Sequence, residues 1–382
     1  MRTMSPTESH DPQPSRFDTD RVVDPALVEP ELLTVSGADH AARGRGRGEQ
    51  AARGIALTVD AYSSLFSRLG ITVDTQRSAA EQSLAALADW DPAQVDELTG
   101  VAAGAGLGLW QVGLVNARTE ILTLAQVDPR ECSTLVHAAP GGTKAVQTWD
   151  WHAEFADVWH YQSVTGVDGE LDHHGFAEYG MLGKIGMNSA RVGVMLNILK
   201  NAADSAGGVP VHSVLAAALQ RGRTVAEAVD IIRSARTTSS SVITVTGPDA
   251  AVMVEIGPAG TQALSADGWF AHTNHFVGSE LLDGALPLNA ASMSEERLAL
   301  IESRVADAPA PADTAEMLGH LCTGPGEAPV CRVPEPGKGF GERTATLVTV
   351  QFDPVAGRVV MSPGSPNDVG RAQAVEFSTT AR

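Results

Sequence analysis

The stretch Arg130-Glu131-Cys132-Ser133-Thr134-Leu135 marks the point where the chain changes from a helical to a β-prone composition. Residues 133–138 and 144–149 are short runs with strand propensity, and Pro140-Gly141-Gly142 between them is a turn signal. We therefore predict a β-hairpin directly after Cys132. This cysteine then stands at the junction between a helical and a β-rich part of the chain.

The part before this junction has the pattern of helices over residues 50–71, 77–104 and 111–124. In the second segment apolar residues recur at steps of three and four, as in Ala80, Leu84 and Leu87. Asp91-Pro92 interrupts it, because Asp91 can cap a new helix that has Pro92 in its first turn.

The part after the junction is mainly composed of strands. Further strands are expected over residues 157–165, 176–182, 190–198, 240–247, 250–257, 344–352 and 358–361, and helices over 211–221 and 224–235, the last capped by Thr224. This order is not a regular alternation of strand and helix. It predicts an α+β domain of two largely antiparallel sheets covered by helices.

The N-terminal segment differs in composition from the rest of the chain. Residues 1–30 are rich in Pro, Ser, Asp and Thr, which predicts a mobile segment, with ordered structure from Glu31 onward. Residues 41–50 contain three Gly and three Arg, but they lack the Gly-Lys-Ser/Thr ending of a phosphate-binding loop. The segment has no apolar secretory signal, and the chain has no apolar run of ~20 residues, so we expect a cytoplasmic protein.

Charge and cysteine content narrow the function classes. The net charge is −19, which argues against nucleic acid and against an anionic membrane surface as partners. Cys322 and Cys331 could close a short disulfide loop, but free thiols are expected in a reduced cytoplasm. The histidines offer no His-Glu-x-x-His or Cys-x-x-Cys spacing, so we predict no metal and no cofactor.

A set of short motifs, in order, resembles the acyl-coenzyme A:6-aminopenicillanate (isopenicillin N) acyltransferase family of N-terminal-nucleophile hydrolases, from about residue 35 to residue 366. The motifs are residues 100–106 (GVAAGAG), 114–120 (LVNARTE), 131–134 (ECST), 147–151 (QTWDW), 183–189 (GKIGMNS), 272–276 (HTNHF) and 294–297 (SEER). Each is weak alone, and their order makes the resemblance specific. It implies a four-layer αββα sandwich and a precursor that cuts itself between Glu131 and Cys132.

The same resemblance implies two chains from one precursor, which remain together as one domain. Residues 31–131 would be the helical part of the α chain, and residues 132–382 would be the β chain. The freed α-amine of Cys132 has an ordinary pKa near ~8, so it can act as the general base for its own thiol. Glu131 stands where several members carry Gly, and Ser133 replaces a common Thr.

The resemblance also suggests a role for individual residues around Cys132. Asp150 would hold and polarise the Cys132 amine, Asn274 would donate a hydrogen bond to the oxyanion, and Arg297 would supply a fixed positive charge. Losing an oxyanion donor commonly costs ~3–4 kcal/mol in the barrier. Substrate-pocket candidates in the same motifs are Trp149, Trp151, Asn188 and His275.

Three functions are compatible with this site. The first is hydrolysis of a small N-acyl amide through a thioester on Cys132. The second is transfer of an acyl group, from a coenzyme A thioester or an amide, to an amine such as a β-lactam nucleus. The third is a non-catalytic binding protein on the same fold. The expected partners are a small-molecule amide or thioester and the two chains of the precursor, with an oligomer possible.

Overall fold

The computed structural model describes residues 17–125, 132–265, 267–286 and 291–379. These residues form four layers, in the order helices, sheet, sheet, helices. The two sheets face each other across an apolar interior, where β2 packs on β7 and β13 on β5. The four-layer αββα sandwich expected from the sequence is therefore confirmed.

Helices on the outer faces cover both sheets. Helices α1 to α7 belong to the layer over the larger sheet, and α8 and α9 cover the smaller one. Their bounds are α1 His40–Arg68, α2 Val73–Trp90, α3 Pro92–Ala105, α4 Leu109–Asn116, α5 Arg118–Leu122, α6 Val211–Arg221, α7 Val225–Ser234, α8 Ser294–Val305 and α9 Thr314–Gly319.

The larger sheet has the strand order β1-β4-β5-β6-β7-β8-β9-β10, and the smaller sheet has the order β11-β2-β3-β12-β13-β14. The pairing is antiparallel except between β1 and β4, which run parallel. The strands are β1 Leu32–Val35, β2 Cys132–Ala138, β3 Lys144–His152, β4 Trp159–Val164, β5 His173–Glu178, β6 Ile185–Asn188, β7 Gly193–Ile198, β8 Ser241–Thr246, β9 Ala251–Gly257, β10 Gly260–Ser265, β11 Gly268–His272, β12 Thr344–Asp353, β13 Arg358–Pro363 and β14 Val375–Ser378.

The glycine- and arginine-rich run at residues 41–50 lies inside α1. Its glycines let α1 approach α3 closely, since a Cβ added to Gly48 would lie 2.3 Å from the Val101 carbonyl oxygen. Its buried arginines bind protein groups: Arg43 pairs with Glu97, and Arg47 donates to Gln162. The run is therefore a helix–helix contact with internal ion pairs.

The helix signals at Asp91 and Thr224 are confirmed. The Asp91 side chain accepts from the Gln94 N–H at the start of α3, and Thr224 accepts from the Glu227 N–H at the start of α7. The predicted hairpin is β2–β3. Strands β6 and β10 are not predicted from the sequence, and α1 begins ten residues before its predicted start.

The N-terminal segment corrects one prediction. Residues 1–16 lie outside the described residues, but the chain from Phe17 onward is packed on the domain. Phe17 is buried with its ring against Phe155 and Phe340, and Arg343 donates to the Thr19 carbonyl oxygen. Composition is misleading here because a few buried residues, Phe17 and Ala26 among them, anchor a segment that is otherwise polar.

The predicted α- and β-chain segments share one set of layers. Strand β1, from residues 31–131, pairs with β4, from residues 132–382. The boundary between the two chains stays a prediction, since Glu131 lies outside the described residues. Among the described helices, none is by itself long and apolar enough to cross a membrane, and only α3 and α4, bent by 118° at their junction, meet that test as a pair.

Candidate active site

Cys132 is the first residue of β2, and its side chain faces the interior between the sheets. It is 4% exposed and pairs with Trp149 of β3. All three cysteines of the chain are free thiols, so Cys322 and Cys331 form no disulfide loop. The nucleophile predicted from the sequence is the first residue of an inner strand, which pairs with β3 on one side and with β11 on the other.

Three side chains bind the main chain of Cys132. Its N–H donates to Asn274 Oδ1 at 3.0 Å. Its carbonyl oxygen accepts from Arg297 Nη1 at 3.0 Å and from Asn197 Nδ2 at 3.2 Å. Both ends of this residue are thus held by groups from α8, β7 and the segment after β11.

Arg297 is fully buried and connects several parts of the site. Besides Cys132, its guanidinium donates to Ser133 Oγ at 2.9 Å and to Asn274 Oδ1 at 2.9 Å. Its Nε donates to the Ser292 carbonyl oxygen. The positive charge of Arg297 therefore lies beside the main chain of Cys132, and its catalytic role stays a prediction.

The amide of Asn274 is oriented by contacts on both sides. Its oxygen accepts from the Cys132 N–H and from Arg297, while its Nδ2 donates to the Ile198 carbonyl oxygen at 2.9 Å. A flipped amide would set its NH2 group against two donors. Asn274 is therefore at the site, where it acts as an acceptor for the Cys132 nitrogen; its donation to an oxyanion stays a prediction.

Asp150 is buried on β3, next to the residue that pairs with Cys132. Its Oδ1 accepts from Thr346 Oγ1 at 2.7 Å, and that hydroxyl in turn accepts from the Arg332 N–H. Burial and then the Asp150 carboxylate raise the pKa of the Cys132 thiol to about 12, against the opposing charges of Lys184 and Arg297. Asp150 is therefore close enough to act electrostatically on the Cys132 thiol.

Trp149 and Trp151 lie in the sheet-to-sheet interior and contact cations. Their rings stack with centroids 6.4 Å apart. Lys184 Nζ lies 3.2 Å from the centroid of Trp149, and the Arg118 guanidinium lies 3.9 Å from that of Trp151. Both indoles are 2% exposed, so in the uncut chain they are interior walls beside Cys132. Their role in a substrate pocket stays a prediction.

The structure does not bring Asn188 to the nucleophile. Its Nδ2 donates to the Leu219 and Gly222 carbonyl oxygens near the end of α6, and its oxygen accepts from the Ala190 and Val192 N–H groups. These four bonds use the full capacity of an amide. Asn188 therefore holds the turn at the end of β6 against α6. Its assignment to a substrate pocket is corrected accordingly.

His275 lies next to Asn274 but faces α8. Its Nδ1 is 2.8 Å from Ser294 Oγ and 3.3 Å from Thr273 Oγ1. Ser294 also accepts from the Asn274 N–H at 2.8 Å, so His275 supports the segment that carries Asn274. Contact with a substrate stays a prediction.

Two buried residues of the site were missed by sequence reasoning. Asn197 reaches from β7 across to Cys132, and the available signal was an amide inside the apolar strand Gly193–Ile198. Lys184 belongs to the same motif as Asn188 but points at Trp149. Buried polar residues in apolar strands are the signal that would have found them, since such groups need partners.

A cavity of about 460 Å³ lies at the β11 side of the sandwich, and Cys132 is not among its lining residues. It is formed by β9, β10, β11 and α8, with Leu264, Trp269, Phe270, Val277 and Glu302 in its wall. The position of this cavity therefore does not identify a substrate pocket around the nucleophile.

The histidines near the site have partners other than a metal. His272 Nε2 lies 2.9 Å from Glu255 Oε1, and both side chains are fully buried. Within the described ranges, no group of three or more His, Cys, Asp and Glu side chains is placed to hold a metal ion. The prediction of a site without metal or cofactor stays a prediction.

The fold and the site define a four-layer αββα sandwich with a buried cysteine at the head of an inner strand. The chain belongs to the acyl-coenzyme A:6-aminopenicillanic acid acyl-transferase family, whose model matches residues 138–368. That match starts just after Cys132 and covers more than half of the chain.

One similar protein carries the name of this family, and two solved structures match more weakly. The chain is 27% identical over 292 residues to the acyl-coenzyme A:6-aminopenicillanic-acid-acyltransferase 40 kDa form of Emericella nidulans, with 75% of this chain and 79% of that protein covered. A conjugated bile acid hydrolase of Clostridium perfringens matches at 11% identity and a TM-score of 0.40, covering 65% and 98% of the two chains. Penicillin V acylase of Agrobacterium tumefaciens matches at 14% and 0.35, covering 61% and 83%. We infer nothing from these two weak structural similarities.

Proposed function

We propose that this protein is a cysteine amidohydrolase that activates itself by cutting between Glu131 and Cys132. Its substrate is a small N-acyl amide, which it cleaves through a thioester on Cys132. We further propose that both chains remain together in the cytoplasm. The observation that carries the proposal is the set of three side chains, Asn274, Asn197 and Arg297, on the main chain of Cys132.

Those contacts suit a residue whose nitrogen becomes a chain end. A cysteine that serves only as a small apolar side chain needs no buried arginine on its carbonyl oxygen. Arg297 is 0% exposed, and keeping its charge in the interior is favourable only with well-placed partners. Its bonds to Cys132 and to Asn274 fix the nitrogen that would become the α-amine.

In the cutting step, Cys132 Sγ attacks the carbonyl carbon of residue 131. The C–N bond breaks, the nitrogen of Cys132 takes up a proton, and the residue 131 acyl group is left on sulfur as a thioester. Water then hydrolyses that thioester, giving a carboxylate at residue 131 and a free thiol. Asn274 Oδ1 is in place to accept from the new amine, as it does from the N–H before cutting.

In the catalytic cycle, the α-amine of Cys132 takes the proton of its own thiol and later gives one to the leaving amine. The acyl group passes from the substrate nitrogen to Sγ. Water attacks the thioester, releasing the acid and restoring the thiol. The proposed roles of Arg297 and Asn274 are to fix the position of the amine, and that of Asp150 is to polarise it.

Acyl transfer is the second candidate, and the family membership favours it. The relative of 27% identity is named as an acyltransferase that uses acyl-coenzyme A and 6-aminopenicillanic acid. The thioester on Cys132 is common to both routes, and an amine replaces water in the second. Turnover of an N-acyl amide with and without added 6-aminopenicillanic acid separates them: free acid in both cases supports hydrolysis, and a new amide supports transfer.

Self-activation is tested by the intact mass of freshly purified protein under denaturing conditions. We expect two species, residues 1–131 and 132–382, and one uncut species for Cys132→Ala. Cys322→Ala is the control, because Cys322 is also a free thiol and its electrostatic partners are Cys331 and Arg304. A wild-type chain that remains at 39.8 kDa, or a Cys132→Ala chain still cut after residue 131, would overturn the proposal.

A further inference from the structure

A buried lysine lies on the inner side of the nucleophile. Lys184 stands just before β6, its side chain is 1% exposed, and its Nζ lies 3.2 Å from the ring centroid of Trp149. Trp149 pairs with Cys132, and both side chains face the interior between the sheets. The ammonium group of Lys184 therefore lies against the ring of the residue that pairs with Cys132, and it interacts electrostatically with the Cys132 thiol.

A carboxylate holds Lys184 in this place. Glu178 Oε2 accepts from Lys184 Nζ at 2.8 Å and from Arg118 Nε at 3.0 Å, and the Tyr62 hydroxyl donates to Glu178 Oε1. Although burial opposes it, the charges of Arg118 and Lys184 lower the pKa of Glu178 to about 2. The Glu178 carboxylate thus accepts from two cations, and Arg118 also interacts electrostatically with Glu120.

We propose that Lys184 is a positioning residue for the nucleophile, whose ammonium stabilises the thiolate of Cys132 against the opposing carboxylate of Asp150. This inference rests on the proposed function, since a thiolate is needed only if Cys132 reacts. Lys184 acts through charge and through its fixed place on Trp149. Asp150 and Lys184 therefore have opposite effects on the same sulfur.

The two groups are electrostatically coupled in both directions. Burial lowers the pKa of Lys184 to about 7, while Glu178 and the charge on Cys132 act in the opposite direction. The charges of Lys184 and Arg297 in turn oppose the burial that raises the pKa of Cys132. The neutral pair, amine and thiol, carries the same number of protons as the pair of ammonium and thiolate. The two forms interconvert by proton transfer, so loss of the first proton of the pair near neutral pH gives mainly neutral amine and thiol together with a fraction of ammonium and thiolate.

The other groups around Lys184 come from three elements. Arg118 lies on α5, Glu178 ends β5, and His212 on α6 is coupled electrostatically to Lys184. Burial holds the pKa of His212 well below its ordinary value, so this ring stays neutral. Phe176 contributes an apolar ring at 5.5 Å. Lys184 is therefore the group whose charge changes near neutral pH in this set.

The test is the rate of Cys132 alkylation by iodoacetamide in freshly translated, uncut chain, followed by peptide mass spectrometry across pH. The uncut chain has no α-amine at Cys132, so the amine cannot mimic Lys184. We expect the wild-type rate to rise up to about neutral pH and then level off. Lys184→Met should react at least about tenfold more slowly at neutral pH, which corresponds to one pKa unit, and should rise without levelling off.

Two further variants separate charge from structure. Lys184→Arg keeps a permanent cation, so it should restore most of the rate and lose the levelling-off above neutral pH. Lys144→Met, at the far end of β3, should behave as wild type. Lys184→Met leaves Glu178 paired with Arg118 and is expected to fold; if its thermal unfolding shows otherwise, Lys184→Gln carries the same test.

The outcomes distinguish this inference from the proposed function. A Lys184→Met profile equal to wild type, or an equal loss in Lys144→Met, overturns the role of Lys184 even if the chain cuts itself. A wild-type chain that never cuts itself overturns self-activation, while the alkylation profile still decides whether Lys184 controls the thiol.

Discussion

Asn197→Leu is the substitution that best separates the site from the packing around it. Asn197 is fully buried and makes four hydrogen bonds: Nδ2 donates to the carbonyl oxygens of Cys132 and His272, and Oδ1 accepts from Thr134 Oγ1 and Gln147 Nε2. Leucine has a similar shape but makes none of them. The change therefore removes one of the two donors on the Cys132 carbonyl oxygen.

The expected magnitude follows from the partners that are left. Cys132 keeps the bond from Arg297, and Gln147 keeps its bonds to Thr134 and to the Leu196 carbonyl oxygen. A net hydrogen bond contributes about 0.5–1.5 kcal/mol, and a stranded buried partner costs about 1–3 kcal/mol. We expect a loss of about 2–4 kcal/mol in unfolding free energy, and a self-cutting rate about tenfold lower from the loss of one bond at the reacting residue.

Asn188→Leu is the matched control. Asn188 is also a fully buried amide with four hydrogen bonds, but its contacts are in the turn beside α6. It should lose a similar amount of stability in urea unfolding and cut at the wild-type rate in an intact-mass time course. Equal slowing in both variants would attribute the effect to general loosening of the fold. An unchanged rate in Asn197→Leu would exclude a contribution of Asn197 to the site.

The stability of the buried charge cluster should depend on pH. The folded-state pKa of Glu178 is about 2 against an ordinary 4.5, so its ionisation stabilises the fold above the ordinary value and that contribution is lost as pH falls toward 2. The difference in unfolding free energy between wild type and Glu178→Gln should shrink by about 3 kcal/mol over that interval, and a constant difference in urea unfolding would contradict this. Gly48→Ala should destabilise by about 2–4 kcal/mol in thermal unfolding, because its Cβ would lie 2.3 Å from a main-chain oxygen of α3. Gly46→Ala, whose Cβ has only one atom within 4 Å, at 3.7 Å, should stabilise by up to about 1 kcal/mol, and a loss equal to that of Gly48→Ala would refute the close-contact explanation. Asp150→Asn removes a carboxylate that adds to the effect of burial on the thiol of Cys132, so alkylation should become faster at a given pH while turnover slows; normal turnover would remove Asp150 from the site.

Local signals in the sequence predicted the elements that local chemistry determines. Asp91 and Thr224 cap helices because their side chains satisfy N–H groups in the first turn, which depends only on neighbouring residues. The hairpin after Cys132 follows from Pro140-Gly141-Gly142 in the same way. The layered α+β arrangement followed from the order of these elements.

Elements that depend on distant contacts were missed. Glycine is unfavourable inside a helix, so the Gly-rich start of α1 did not resemble one. Its close approach to α3 and the buried pair of Arg43 with Glu97 compensate for that penalty, and neither is visible in a local window. Strand β6 is four residues long and contains glycine, and much of β10 is exposed, so their patterns are weak.

The site residues can be divided in the same way, into those that the sequence predicted and those that depend on distant contacts. Motif order identified Cys132, Asp150, Asn274 and Arg297, and the structure brings them together. Within the motif at residues 183–189, however, the order of residues could not show which side chain faces inward. Lys184 lies just before β6 and points to Trp149, whereas Asn188 ends β6 and points to α6.

The position of strand β1 has a consequence for the order in which the chain folds and is cut. It is an edge strand of the larger sheet, and its helix α1 lies over the same layer, yet the residues after the proposed cut supply β4, its hydrogen-bonding neighbour. In one continuous chain, the pairing of β1 with β4 is an intramolecular step. Two separate chains would have to associate in a bimolecular step, whose rate depends on their concentration. We therefore expect the fold to form before the proposed cut. A cut molecule that is then unfolded should refold poorly, and the yield should fall further as the protein is diluted.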